Sequence, residues 1–305
     1  MYTEKIKFYE NRNDVTLTAY VLDDSSELLN GKRRPAILIC PGGAYLNCSD
    51  REAEPVALRF VAMGYHAFVL RYSTYTGGSS QPLELNQEMS VNENITHPTP
   101  MREIGQAMLT IKEHAEDWLV DVEKIALCGF SAGAHNCAMY SVYWDKPIIT
   151  EYFNERIEPV KPAATILGYG YYDHWLMRAM SQTPDDKHFF AMSNLAFSGY
   201  KEPDDNLMKE ISPVLHVSAS TPPMFLWATA ADDLVPAQQT LRMAHALADN
   251  HIPYEVHIYE EGDHGLSLAD QASARDNSQL NQHVSKWILE VETWLKRRIG
   301  IELTS

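Results

Sequence analysis

From residue 36 onward, short apolar runs alternate with segments whose apolar residues recur at helical spacing. The segment 101–119, for example, places Ile104, Met108 and Ile111 on one face of a helix. The predicted strands are 36–40, 66–72, 124–128, 163–169, 224–230 and 254–260, and the predicted helices are 52–63, 101–118, 132–143, 236–250 and 279–298. Strands and helices that alternate in this way predict an α/β fold with a mostly parallel central sheet and helices on both of its faces.

Two segments near the N-terminus and two longer segments lie outside this alternation of strands and helices. Segments 4–10 and 16–23 predict a pair of antiparallel strands. Residues 73–100 are polar and long for a connection in a compact domain, which makes them a candidate lid or binding loop. Residues 170–212 are a second excursion with aromatic and helical character. We therefore predict one domain over residues 1–305 that carries two insertions.

A Gly-Phe-Ser-Ala-Gly pentapeptide, residues 129–133, directly follows a predicted buried strand and precedes a helix-like segment. A G-x-S-x-G sequence in this context is typical of a sharp turn that presents the serine hydroxyl at the helix N-terminus. Alone, the pentapeptide is a weak signal, because ordinary turns also contain it. A serine hydroxyl is a poor nucleophile, so Ser131 needs a base and an acid that orients the base.

Candidates for these partners follow the later strands. His264 lies between two glycines in the loop after the last predicted strand. Asp232 and Asp233 follow the strand before it, and Asp173 follows an earlier one. All of these residues come after the carboxyl end of a strand, where functional residues collect in such sheets. Among the aspartates we favour Asp232, but the residues alone leave the other two open.

The loop Pro-Gly-Gly-Ala-Tyr, residues 41–45, follows the first parallel strand. Acyl transfer requires N–H groups directed at the developing oxyanion, and glycines allow a backbone to approach a substrate closely. An ordinary strand-to-helix turn suits two glycines equally well. The loop is therefore a candidate oxyanion loop only in combination with the serine turn.

Charge and cysteine content limit the class of partner. The chain has 25 Lys and Arg against 41 Asp and Glu, a formal net charge of −16, which disfavours nucleic acid and anionic membranes. The four cysteines form no C-x-x-C pair and have no His partners at zinc-finger spacing, so we expect no metal site. Residues 1–14 lack the apolar core of a secretory signal, and no apolar run approaches the roughly 18 residues of a membrane helix. We expect a reduced, cytoplasmic protein and leave open whether it forms a homo-oligomer.

In combination, these motifs resemble an α/β-hydrolase of the carboxylesterase and acetyl-xylan-esterase-like group. The resemblance rests on "CPGGAY", "GFSAGAH", "ATAADDLVPAQQ" and "EEGDHG", and it spans about residues 35–270 apart from the insertions. It implies the α/β-hydrolase fold. It also implies a serine esterase that releases a short acyl group, acetyl above all, from a sugar or another small alcohol, with no cofactor.

The resemblance also assigns the site residues. Ser131 matches the nucleophile and His264 the base, while Asp232 matches the acid because that acid stands four positions before a proline, here Pro236. The implied oxyanion donors are three backbone amides, those of Gly43, Ala44 and Ala132. The family's loop has a glycine where this chain has Ala44, and alanine takes a positive φ only at a cost, so we expect the Ala44 amide to contribute least securely.

Two other functions use the same features. An amidase or peptidase would need the same three side chains, and a non-catalytic binding protein would keep the same fold. A cluster of aromatic residues at the start of the second insertion is a candidate for stacking on a sugar or for packing the insertion; its members are Tyr169, Tyr171, Tyr172 and Trp175.

Overall fold

A computed structural model describes residues 1–77, 89–153, 160–181 and 183–303. One eight-stranded sheet runs through this part of the chain. Its strands are β1 (Tyr2–Tyr9), β2 (Arg12–Val21), β3 (Arg34–Cys40), β4 (His66–Arg71), β5 (Val120–Phe130), β6 (Ala164–Gly168), β7 (Met224–Thr229) and β8 (Tyr254–Tyr259). Their spatial order is β1-β2-β4-β3-β5-β6-β7-β8. The first three in this order pair antiparallel, and all later neighbours pair parallel, which confirms the predicted mostly parallel sheet.

The parallel strands have continuous apolar sequences because they are buried on both faces of the sheet. In β3, all seven residues are buried. Ile37 and Ile39 join the core on one face, whereas Leu38 and Cys40 join the core on the other, since successive side chains of a strand alternate.

Helices cover both faces of this sheet. They are α1 (Glu54–Ala62), α2 (Thr99–Glu113), α3 (Ala132–Tyr143), α4 (Pro147–Thr150), α5 (His174–Met180), α6 (Pro184–Ser198), α7 (Asp205–Glu210), α8 (Gln238–Asp249) and α9 (Trp287–Ile299). Phe60 of α1 and Trp287 of α9 lie in the core on one face. Met108 of α2, Cys137 of α3 and Met243 of α8 lie in the core on the other face. This double covering confirms the predicted fold class.

The last helix begins later than its sequence pattern predicts. We predicted a helix over 279–298, but α9 begins at Trp287, and two short 3₁₀ turns precede it. Oδ1 of Asn281 accepts hydrogen bonds from the amides of His283 and Val284, both at 3.0 Å. An asparagine that bonds nearby amides stabilises a turn in competition with a helix, so the predicted start is wrong.

The second insertion, 170–212, consists mainly of α5, α6 and α7. Each of these helices begins with a residue whose side chain accepts a hydrogen bond from a backbone amide; the three residues are Asp173, Thr183 and Asp204. Such caps satisfy amides that the first turn of a helix leaves unpaired, which explains why short helices form here.

The first insertion, 73–100, is described only in part. Residues 78–88 lie outside the described residues, so its role as a lid stays a prediction. Its first residue is anchored, because the carboxylate of Glu103 accepts the Ser73 amide at 2.7 Å. The assignment of residues 1–305 to one domain also stays a prediction. None of the helices in the described ranges has both the length and the apolar character needed to cross a bilayer.

Candidate active site

Ser131 occupies the sharp turn between β5 and α3. Its backbone has φ 50° and ψ −119°, a positive-φ conformation that is costly for any residue with a Cβ. A Cβ on Gly129 would lie 2.4 Å from the carbonyl oxygen of Gly133, and one on Gly133 would lie 2.0 Å from that of Cys40. The turn that presents this hydroxyl therefore requires glycine on both sides of the serine.

His264 contacts both the serine and an acid. Its Nε2 lies 2.9 Å from Ser131 Oγ, and its Nδ1 lies 2.7 Å from Asp232 Oδ2. The side chains of His264 and Asp232 are 15% and 1% exposed, so the acid is shielded while the imidazole reaches the surface of the site. In this arrangement the imidazole can take the hydroxyl proton while the carboxylate holds the other ring N–H.

Asp232 is oriented by the turn that follows β7. Its Oδ1 accepts the amides of Leu234 at 3.0 Å and Val235 at 2.8 Å. These two bonds occupy one carboxylate oxygen and leave Oδ2 directed at His264. The geometry explains how a fully buried carboxylate can be tolerated, since both of its oxygens have donors.

The other two candidate aspartates lie elsewhere. Asp233 is exposed. Asp173 accepts the amide of Leu176 as the cap of α5, and it forms an ion pair with Arg242. Of the three aspartates, the structure therefore brings only Asp232 to His264.

The loop after β3 holds backbone amides whose directions are determined by hydrogen bonds to their own peptide carbonyls. The Gly42 carbonyl accepts the Ser49 amide at 2.9 Å, and the Gly43 carbonyl accepts the Leu46 amide at 2.9 Å. In a trans peptide the carbonyl and the next N–H point in opposite directions. These bonds therefore direct the amides of Gly43 and Ala44 away from the interior of the loop.

The third predicted oxyanion donor, the amide of Ala132, is oriented in the same way. The carbonyl of Ser131 accepts the amide of His135 at 3.0 Å, which fixes the plane of the peptide between Ser131 and Ala132. None of the three amides has a protein acceptor among the residues that the structure describes. They can therefore donate to an oxygen bound beside Ser131.

Ala44 adopts a positive φ, although the Cβ of an alanine disfavours it. Its φ is 55°, and that of Tyr45 is 58°. Neighbouring contacts hold this backbone: the Tyr45 ring stacks on Phe197 at 4.2 Å, its hydroxyl lies 2.7 Å from His135 Nδ1, and the Ala44 carbonyl accepts Ser193 Oγ at 2.9 Å. A cost of about 1–2 kcal/mol per positive-φ residue is thus offset by tertiary contacts. Ala44 therefore takes the positive φ without a glycine at this position.

Ser131 opens into a pocket of about 540 Å³. The predicted site residues Gly43, Ala44 and His264 line the same pocket. Phe189 of α6 is also part of the wall, so the second insertion forms one side of the site.

The family of the chain follows from a match over most of its length. Residues 28–247 match the BD-FAE family, and this range contains Ser131, Asp232 and the loop after β3. The chain belongs to the BD-FAE family. His264 lies beyond the matched range.

Individual curated relatives match two thirds or more of this chain. Endo-1,4-beta-xylanase B of Butyrivibrio fibrisolvens is 29% identical over 242 residues, which are 78% of this chain and 33% of that protein. The chain spans only 33–48% of the length of the curated relatives it matches.

Solved structures match over nearly the whole chain. The carboxylesterase Cest-2923 from Lactobacillus plantarum WCFS1 is 25% identical, with a TM-score of 0.79 and 100% of both chains covered. The acetyl ester-xyloside bifunctional hydrolase from Caldicellulosiruptor lactoaceticus is 26% identical, with a TM-score of 0.74, 98% of this chain and 97% of the other covered. MGS-M1, an alpha/beta hydrolase enzyme from a Medee basin deep-sea metagenome library, is 31% identical, with a TM-score of 0.71 and 99% of both chains covered. The fold is thus that of the α/β-hydrolases, as the resemblance of the sequence motifs implies.

Sequence patterns missed several residues that shape the site. Phe189 carries no motif, because a single aromatic residue in a helical insertion is ordinary. Of the aromatic residues considered for sugar stacking, Tyr169, Tyr171 and Tyr172 are buried, which makes them core residues. Glu52 was also missed, and its burial at 3% exposure is the signal that identifies it. A charge pattern cannot reveal burial, since most glutamates in a helix-start segment are exposed.

Gly43→Ala should lower kcat by about 10²–10³, the loss typical of one oxyanion donor. Gly43 has φ +130°, and an added Cβ would lie 2.2 Å from the carbonyl oxygen of Asn47, so the loop must shift. The measurement is steady-state hydrolysis of p-nitrophenyl acetate. Gly31→Ala is the matched control, since Gly31 also has a positive φ, +82°, but nothing lies within 4 Å of its added Cβ. An unchanged kcat in Gly43→Ala would contradict this role of the loop.

Proposed function

We propose that the protein is a serine carboxylesterase that works through a covalent acyl-enzyme. One observation carries the proposal: Ser131 Oγ, the two nitrogens of His264 and a carboxylate oxygen of Asp232 form one continuous chain of hydrogen bonds of 2.9 and 2.7 Å. The carboxylesterase named among its structural relatives supports the same reaction class.

The proposed reaction has two halves. Ser131 Oγ attacks the ester carbonyl as its proton passes to His264 Nε2, and the Asp232 carboxylate stabilises the resulting imidazolium. The amides of Gly43, Ala44 and Ala132 stabilise the tetrahedral oxyanion. When the C–O bond to the alcohol breaks, the proton on Nε2 passes to the leaving oxygen and the acyl group stays on the serine.

Water completes the cycle. His264 takes a proton from water, the hydroxide oxygen attacks the acyl carbonyl, and a second oxyanion forms at the same amides. Collapse of this intermediate breaks the bond to Ser131 Oγ, which regains the proton from Nε2. The carboxylic acid then leaves.

The acyl group that we propose is acetyl, carried by a small carbohydrate. The pocket wall supports a short acyl group, because Phe189 of α6 lines the pocket and Ser193 of the same helix donates a hydrogen bond to the Ala44 carbonyl of the loop. An acetyl ester and a xyloside appear in the name of one structural relative, and a curated relative, of which this chain spans 33%, is named a xylanase.

Pre-steady-state hydrolysis of p-nitrophenyl acetate tests the acyl-enzyme. An early burst of p-nitrophenol, equal to the enzyme concentration, is expected because this activated ester should acylate Ser131 faster than water releases the acid, so that the acyl-enzyme accumulates. A matched p-nitroacetanilide assay separates esterase from amidase. Faster cleavage of the anilide than of the ester would contradict the proposal.

Acyl-chain length tests the pocket. We expect kcat/KM to fall from acetyl to octanoyl p-nitrophenyl esters, because added methylenes overlap the wall at Phe189. An open groove would instead gain about 0.8 kcal/mol for each methylene it buries. Phe189→Ala should raise the rates of the longer esters, whereas Phe190→Ala, which removes the neighbouring ring from a different cavity, should not. A wild-type rate that rises with chain length would overturn acetyl specificity.

A further inference from the structure

Glu52 is a buried carboxylate that the proposed reaction does not use. It lies in a short 3₁₀ turn between β3 and α1, it is 3% exposed, and it lines the pocket of Ser131. In the part of the chain that the structure describes it forms no ion pair. A buried carboxylate without an ion-pair partner is tolerated only where hydrogen bonds compensate for its lost hydration, so both carboxylate oxygens of Glu52 need donors.

Each carboxylate oxygen of Glu52 holds a different wall of the site. Oε2 accepts the amide of Gly42 at 2.7 Å, and Gly42 immediately precedes the candidate oxyanion donor Gly43. Oε1 accepts the hydroxyl of Tyr169 at 2.6 Å. The carboxylate therefore joins the loop after β3 to the residue that follows β6.

Tyr169 continues this connection to the loop of the base. Its hydroxyl oxygen accepts the amide of Ser267 at 3.0 Å, three residues beyond His264, and its ring packs edge-on against the His264 ring at 5.1 Å. One chain of hydrogen bonds thus runs from Gly42 through Glu52 and Tyr169 to the His264 loop.

Arg51, the residue before Glu52, also binds the His264 loop. Nη1 of Arg51 donates to the carbonyl of Gly265 at 2.8 Å, and the carbonyl of Arg51 accepts Ser267 Oγ at 2.7 Å. Successive residues of one turn therefore hold both sides of the pocket.

The distances around Gly42 show how little freedom this arrangement leaves. A Cβ added to Gly42 would lie 2.8 Å from Glu52 Oε2 and 2.9 Å from the Cβ of Ser131. The carboxylate, the loop and the serine are therefore in close contact. A small displacement of Glu52 moves the amides relative to the serine.

We infer that Glu52 is a positioning residue, which holds the oxyanion loop and the His264 loop at a fixed separation through the Gly42 amide and the Tyr169 hydroxyl. This inference rests on the proposed function of Ser131 and His264. Glu52 touches no reacting atom in it; it acts by orienting Gly43 and His264, and its effect therefore falls on kcat more than on KM.

Glu52→Gln and Tyr169→Phe test the inference. The glutamine side chain keeps the shape but has one acceptor oxygen for two donors, and the phenylalanine keeps the ring but removes the link to Ser267. We expect kcat to fall about 10–100-fold in each variant, with KM changed less than about twofold, because the two loops should shift by less than about 1 Å. The concentration of active sites for each kcat is titrated by the p-nitrophenol burst. The kcat of the double variant should be about equal to that of the less active single variant, since both substitutions break the same chain of hydrogen bonds.

Glu54→Gln is the matched control. Glu54 also accepts a tyrosine hydroxyl, that of Tyr20 at 3.1 Å, but it is exposed and lies outside the pocket lining. We expect its kcat to match that of the wild type. An equal loss in Glu54→Gln would mean that the effect is general to this segment and would overturn the inference.

The results separate this inference from the proposed function. If Ser131→Ala keeps the wild-type rate, the proposed function is wrong and the inference falls with it. If Ser131→Ala abolishes turnover while folded Glu52→Gln and Tyr169→Phe keep the wild-type kcat, only the inference is wrong. Losses that multiply in the double variant would also overturn it, because the two residues would then act independently. If one variant fails to fold, the other single variant decides.

Discussion

Ser131→Ala should lower kcat for p-nitrophenyl acetate by a factor on the order of 10⁶, the loss seen when a serine hydrolase loses its nucleophile. The substitution removes only Oγ, so His264 loses the hydroxyl that lies 2.9 Å from its Nε2 and no acyl-enzyme can form. The burst of p-nitrophenol should disappear together with steady-state turnover. The measurement is stopped-flow absorbance followed by steady-state assay on the same preparation.

Two controls keep this result specific. The thermal midpoint Tm of Ser131→Ala should stay near that of the wild type, because alanine tolerates the position's φ of 50° no worse than serine does. Ser26→Ala, at an exposed serine in the turn region between β2 and β3, should retain full activity. Retention of a full-size burst in Ser131→Ala would show that another residue carries the acyl group.

Asp232→Asn should lower kcat by about 10⁴ while the protein remains folded. The asparagine can keep its Oδ1 on the amides of Leu234 and Val235, which bond the present Oδ1 at 3.0 and 2.8 Å. Its NH₂ group then faces His264 Nδ1 and forces that nitrogen to accept. The ring proton moves to Nε2, where it faces Ser131, and the imidazole can no longer act as a base.

Asp233→Asn and Asp173→Asn are the matched controls for this prediction. Asp233 is exposed, and Asp173 is engaged with the cap of α5 and with Arg242. Asp233→Asn should therefore leave kcat unchanged, and Asp173→Asn should affect stability more than kcat. Loss of activity in Asp173→Asn with an active Asp232→Asn would show that the acid follows β6 and would refute our assignment.

The three candidate side chains, those of Ser131, Asp232 and His264, could be predicted from the sequence because each belongs to a local pattern. Ser131 stands in a pentapeptide between a strand and a helix, and His264 stands between two glycines just after a strand. A strand end is recognisable over a few residues, and parallel strands bring their carboxyl ends to one edge of the sheet. The choice among Asp232, Asp233 and Asp173 needed the motif that ends at Pro236.

Periodicity and residue type misjudged two features, each for a different reason. The start of α9 depends on which amides the Asn281 side chain bonds, and helical periodicity does not register that competition. The positive φ of Ala44 is unfavourable by residue type, yet it persists because Phe197 and Ser193 from the second insertion hold Tyr45 and the Ala44 carbonyl. A local side-chain hydrogen bond decided the start of α9, whereas tertiary contacts decided the backbone of Ala44.

The sequence by itself determined the alternation of strands and helices and the turn at Ser131, since each of these depends on residues close together in the chain. Only the tertiary structure decided what surrounds them. Glu52 meets Tyr169, 117 positions away, and Phe189 reaches the pocket of Ser131 from a separate insertion. Contacts at such separations depend on how the whole sheet and its insertions pack, and no periodicity or motif encodes them.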